Sequence, residues 1–113
     1  MTFAEMIEHQ KCFDSQHTSR FDWDEPIDDS NIEMLEFLLL SLTGELGETA
    51  NLVKKVRRGD FLLSEKKVEI SEELADMLIY LIKLSYQLDI DLEEAYKIKM
   101  EKNVERFKHY ERG

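Results

Sequence analysis

SNIEMLEFLLLSLTGELGETANLVKKVRRG, residues 30–59, is the stretch that decides the class of this chain. It reads as one long helix. Ser30 followed by Glu33 predicts a capping box at its start, and Gly59, behind the cations Lys54, Lys55, Arg57 and Arg58, closes it. At about 100° per residue, with Glu45 at zero, Leu38 and Val56 fall near 20° and Leu42, Leu35 and Val53 at about 60–80°. Glu45 therefore lies inside an apolar stripe, with Glu48 about one helix-face width to its side. An amphipathic helix has no structural reason to aim a carboxylate into its own core. Burying it unpaired costs roughly several kcal/mol, or the group takes up a proton.

Three further helices fit around this one. The first runs over about residues 2–18, opened by Thr2 with Glu5 three residues on. Residues 19–30 (SRFDWDEPIDDS) hold the sole Pro and four Asp and read as a loop. A third helix covers about residues 64–88, and Asp91 with Glu94 caps a fourth that runs to about Tyr110. No segment alternates with period two. The expected fold is all-α, a four-helix antiparallel bundle formed by a single domain over residues 1–113.

The third helix repeats the anomaly of the second. With Glu73 at zero, Asp76 falls near 300° and Tyr80 near 340°, a line along the margin of the apolar set Ile70, Leu74, Met77, Leu81, Leu84 and Leu88. If the two helices pack antiparallel, Glu45, Glu48, Glu73 and Asp76 converge. Four anions need cations between them, and Mg²⁺ or Mn²⁺ suits oxygen ligands. A di-iron bundle site would use Glu-x-x-His, but none of His9, His17 and His109 stands three residues after a Glu. On the fourth helix, Lys99, Lys102, Asn103 and Arg106 form a basic, amide-bearing strip beside Tyr96, Met100 and Phe107. That strip could take phosphates; the alternative is a solvated face laced with local ion pairs.

With 25 acids against 15 Lys and Arg, the net charge of -10 argues against nucleic acid or an anionic membrane as a general partner. An anionic substrate remains open where metal cations stand between it and the protein. One cysteine, Cys12, gives no intramolecular disulfide and no Cys-based zinc site. No apolar run approaches the roughly 20 residues of a membrane span. The beginning of the chain carries no cationic region followed by an apolar core, so a cytoplasmic location is expected. At 113 residues the chain buries a modest share of its surface, and oligomerisation is a natural supplement.

Gly44-Glu45-Leu46-Gly47-Glu48, then 23 residues, then Glu72-Glu73-Leu74-Ala75-Asp76-Met77-Leu78-Ile79-Tyr80-Leu81 resembles the signature of the MazG-type all-α nucleotide pyrophosphohydrolases: E-x-x-E, a spacer, E-x-x-D. Ile90-Asp91-Leu92 and Lys99-Met100-x-x-Asn103-x-x-Arg106-Phe107 resemble the dCTP pyrophosphatase branch, and the likeness runs over about residues 34–107. The resemblance implies that Glu45, Glu48, Glu73 and Asp76 ligate Mg²⁺ and that Tyr80, Lys99 and Asn103 contact the nucleotide. It also implies a homodimer or homotetramer that releases pyrophosphate from a nucleoside triphosphate. In that chemistry water attacks the α-phosphorus, and Glu48 is the acid expected to orient or deprotonate it. His17 and Trp23, with Phe13 and Phe21, flank the acidic loop and offer flat surfaces to a base. Two other functions fit the same residues: a phosphoribosyl-nucleotide pyrophosphohydrolase of the same fold, and a non-catalytic helical dimerisation module.

Overall fold

Local side-chain chemistry sets most of the helix ends. In the computed structural model, which describes residues 1–112, the helices are α1 (Phe3–Ser15), α2 (Ile32–Arg58), α3 (Leu63–Gln87) and α4 (Leu92–Arg106). Short 3₁₀ turns cover Asp29–Asn31 and Lys108–Tyr110, and no strand occurs among the described residues. Thr2 caps α1 as expected, its Oγ1 accepting the Glu5 N–H at 3.1 Å. The helix ends three residues short of the expected boundary. Ser15 Oγ donates to the Cys12 carbonyl at 2.8 Å, and His17 Nδ1 lies 2.6 Å from the Phe13 carbonyl. These side chains occupy acceptors that another turn of helix would use.

The start of α2 corrects the expected Ser30–Glu33 capping box. Asp28 Oδ1 accepts the Ser30 N–H, and Asn31 Oδ1 accepts the Asp28 N–H, each at 2.8 Å. An aspartate two residues upstream offers a better acceptor geometry, so Ser30 falls inside a 3₁₀ turn and the helix begins at Ile32. At the other end Gly59 adopts φ 94°, the left-handed cap that needs no Cβ, and its N–H donates to the Val56 carbonyl at 3.0 Å. Asp91 caps α4 by accepting the Glu94 N–H at 3.0 Å. That helix stops at Arg106 and tightens into the 3₁₀ turn before Tyr110.

The connector of residues 59–62 is too short for anything but an antiparallel α2–α3 hairpin, the main packing unit. Leu38, 1% exposed, centres a small core with Ile27 and Leu84, and Met34, Leu35, Leu42, Tyr80 and Leu88 close around it. The loop before α2 is tied to α3 by polar bonds: the Ile27 N–H donates to the Gln87 carbonyl at 2.7 Å, and Gln87 Nε2 to the Glu25 carbonyl at 2.9 Å. α1 lies on the flank of α3. As a result the Glu73–Tyr80 line is covered, whereas Leu74 and Leu81, expected in the core, are 57% and 43% exposed.

α4 departs from the expected bundle. It contains no buried residue and makes no extensive contact with α1, α2 or α3. The radius of gyration is 17.6 Å, against about 13 Å for a compact chain of this length. α2 leaves Leu39, Leu40 and Leu46 uncovered, and α4 leaves Tyr96, Ile98 and Val104. No described helix is long and apolar enough to cross a membrane.

Candidate metal and nucleotide site

The hairpin brings acids from both helices to one height. Glu45 on α2 and Glu73 on α3 stand at nearly equal distances from the turn, so antiparallel pairing sets them face to face. One carboxylate oxygen from each of Glu45, Glu73 and Asp76 lies within 4.8 Å of the others. Glu73 Oε2 is buried without a hydrogen-bond partner. The Glu73 carboxyl is pushed up to about 7: first by the hydrogen bond its protonated form makes with Glu45, then by burial and by the charges of Glu45, Glu48 and Asp76. An orphaned carboxylate oxygen among like charges is what a hard divalent cation satisfies, so the donor set fits Mg²⁺ or Mn²⁺.

Glu48 does not join this group. It is exposed and lines a neighbouring hollow of about 350 Å³ with Asn51, Lys55 and Glu72, reaching Glu73 through its charge. The convergence of four acids expected from the helical wheel is therefore three plus one. Glu48, three residues from Glu45, sits about 60° round the helix and faces the far side of Glu73.

On the other side of the acids is a cleft of about 370 Å³. Glu45, Asp76 and Tyr80 form one wall, and Phe13, His17 and Trp23 another. Phe13 and His17 stack with centroids 4.2 Å apart. Phe21 stays outside the cleft and buttresses Trp23 from 4.6 Å. His17 and Trp23 thus share one cavity with two of the acids. The α4 strip does not: Lys99, Lys102 and Arg106 are exposed, Asn103 is half-buried, and none of them lines a hollow with the acids. Among the described residues α4 carries no ion pair either.

A polar cluster at the floor of the cleft escaped the sequence reading. Asp14 and Lys83, with side chains 4% and 8% exposed, pair at 3.0 Å. Gln10 Nε2 donates to Asp14 Oδ1 at 2.9 Å, and the Tyr86 hydroxyl donates to Oδ2. Burial, followed by the bond to Asp14, pushes the Tyr86 hydroxyl far above the usual phenol range. Lys83 also donates to the Trp23 carbonyl at 3.4 Å and lies 5.6 Å from that ring's centroid. The available signal was that Lys83 is the one charge between Asp76 and Asp89.

The family model described as MazG nucleotide pyrophosphohydrolase domain matches residues 33–111. The chain belongs to that family. This MazG domain is 37% identical over 65 residues to the Gene 37 protein of Mycobacterium phage L5, covering 56% of this chain and 57% of that one. It is 38% identical over 81 residues to dCTP pyrophosphatase 1 of Mus musculus, covering 67% of this chain and 48% of the relative. Against the Homo sapiens protein of the same name it is 36% identical over 74 residues, covering 62% and 44%. The MazG domain thus spans about half the length of the curated relatives it matches. No solved structure matches it. The matched segment contains α2, α3 and α4, hence every acid of the site and the basic strip, but not Phe13, His17 or Trp23.

Proposed function

We propose that this MazG domain hydrolyses a nucleoside or deoxynucleoside triphosphate to the monophosphate and pyrophosphate, with Mg²⁺ or Mn²⁺ held by Glu45, Glu73 and Asp76. The observation that carries the reading is the buried, unpartnered oxygen of Glu73 among converging acids, beside an aromatic-walled cleft. Bound there, the cation would neutralise the triphosphate and acidify a water for attack at the α-phosphorus. Glu48, free to swing from the adjoining hollow, would orient that water and accept its proton. His17 and Trp23 would stack on the base, and Tyr80 would contact the sugar or base where it borders Asp76. Lys99, Lys102, Asn103 and Arg106 would hold phosphate oxygens. Standing clear of the acids of their own chain, they suit a homodimer or homotetramer. The whole would act in the cytoplasm, on free nucleotides rather than nucleic acid or membrane.

One panel tests this: canonical nucleoside triphosphates, dCTP first because of the named relatives, and a phosphoribosyl-nucleotide, each with Mg²⁺. The expected products are pyrophosphate and a monophosphate, abolished by excess EDTA. Orthophosphate as the first product, or full activity in EDTA, refutes the reading. Turnover of the phosphoribosyl-nucleotide alone would assign the same site to that substrate, and inertness throughout would leave a dimerisation module.

A further inference from the structure

The buried pair at the cleft floor does more than hold α1 against α3. A lysine that served packing alone would have no reason to end in a nucleotide-sized cleft, and Lys83 lines the one that holds Glu45, Asp76 and Trp23. On α3 it follows Asp76 by two turns, about 10 Å along the helix axis and nearly the same azimuth. That separation leaves room for the sugar between a phosphate held at the acids and the base it carries.

The hydrogen-bond inventory sets what the floor can recognise. The Asp14 carboxylate already accepts from Gln10, Lys83 and Tyr86. An ammonium has three N–H groups, and Lys83 directs its bonds to Asp14 and the Trp23 carbonyl. One N–H is left without a protein partner in a site that is 7% exposed overall. A buried donor without an acceptor is costly, and a ligand atom that accepts from it binds correspondingly better. Uracil, thymine, guanine and cytosine each carry a ring carbonyl. Adenine has none, and its exocyclic amino group would set donor against donor.

We propose that Lys83, fixed by Asp14, is a specificity-determining residue whose remaining N–H donates to a base carbonyl, so that the cleft selects keto-bearing bases over adenine. The inference rests on the nucleotide reading above. Lys83 also anchors the backbone of Trp23, so the residue that reads the base edge places the ring that stacks on its face.

The test is kcat/KM for dCTP, dUTP, dGTP and dATP with Mg²⁺. Wild type is expected to turn over dATP roughly tenfold or more below the best keto base, the worth of one bond from a charged donor. Lys83→Met should lose that difference through KM for the keto bases. Should Lys83→Met not fold, the double variant Asp14→Leu/Lys83→Met removes both charges together and is read in its place. Tyr86→Phe, outside the cleft, weakens the same network and should keep the preference. A wild type active on dATP as on the others, or either Lys83 variant retaining the preference, overturns the inference and leaves the pyrophosphohydrolase reading intact. A wild type inert on all four overturns both.

Discussion

Replacing Asp14 by Leu should cost this small fold a large part of its stability, and a second replacement should restore most of it. Asp14 is 3% exposed and receives three donors, one of them the Lys83 ammonium at 3.0 Å. Leaving that ammonium buried without its counter-charge costs about 3–5 kcal/mol, whereas removing both charges in favour of apolar groups is often close to neutral. A chain of this length has roughly 6–17 kcal/mol in total, so Asp14→Leu should lower Tm by at least about 10 °C. Lys83→Met strands the carboxylate and should lose a similar amount. The double variant should fall within about 1 kcal/mol of wild type, a coupling of at least about 2 kcal/mol. Urea unfolding of the four proteins at one fixed protein concentration measures this, since assembly adds its own stabilisation. Single variants that each lose less than about 1 kcal/mol, with additive effects, would refute the buried-pair account.

Three other outcomes follow from the site and the shape. Glu73, with its carboxyl at about 7 against an ordinary 4.5, is protonated in the metal-free folded protein where the unfolded chain has already lost the proton. Its contribution to stability is full below about pH 4.5 and is lost as pH rises through about 7. Metal-free wild type should therefore melt lower at pH 8 than at pH 5 by a margin that Glu73→Gln abolishes, and Mg²⁺ should flatten the wild-type profile; identical slopes in the two proteins would count against the cluster. Trp23→Ala should raise KM by about tenfold, the worth of one stacked base, with kcat changed less; an unaltered KM would remove Trp23 from the base site. Light scattering at micromolar concentration should give a dimer or larger, because so much apolar surface on α2, α3 and α4 is uncovered in one chain, and a sharp monomer mass would contradict that.

What could be read from the sequence divides along a physical line. Thr2–Glu5, Gly59 and Asp91 act within a turn of their own position, and each caps where its neighbours imply. Ser30 failed for the same local reason: Asp28 competes for the same N–H groups and wins. Glu45, Glu73 and Asp76 were legible because a carboxylate on an apolar stripe contradicts its surroundings whatever the tertiary fold. Asp14 and Lys83 contradict nothing on their own helices; their meaning arises from a contact 69 positions apart along the chain (83 minus 14). Nor does periodicity tell which partner covers a stripe. Leu74 and Leu81 have the same pattern as Leu84, yet Leu84 is buried within the chain and the other two are not.

The Gly59 turn also makes the α2–α3 hairpin a ruler for insertions and deletions. Because Glu45 and Glu73 lie equally far from the connector, their pairing is set by residue counts within the helices, and the connector itself is outside the measure. One residue inserted between Glu45 and Gly59 turns Glu45 by about 100° and shifts it about 1.5 Å, out of reach of Asp76. One residue added at Asp60 or Phe61 lengthens only the loop, and the two helices can keep their register. Lineages of this hairpin should therefore vary in length at the turn and hold constant the distance from each acid to its own end of the helix.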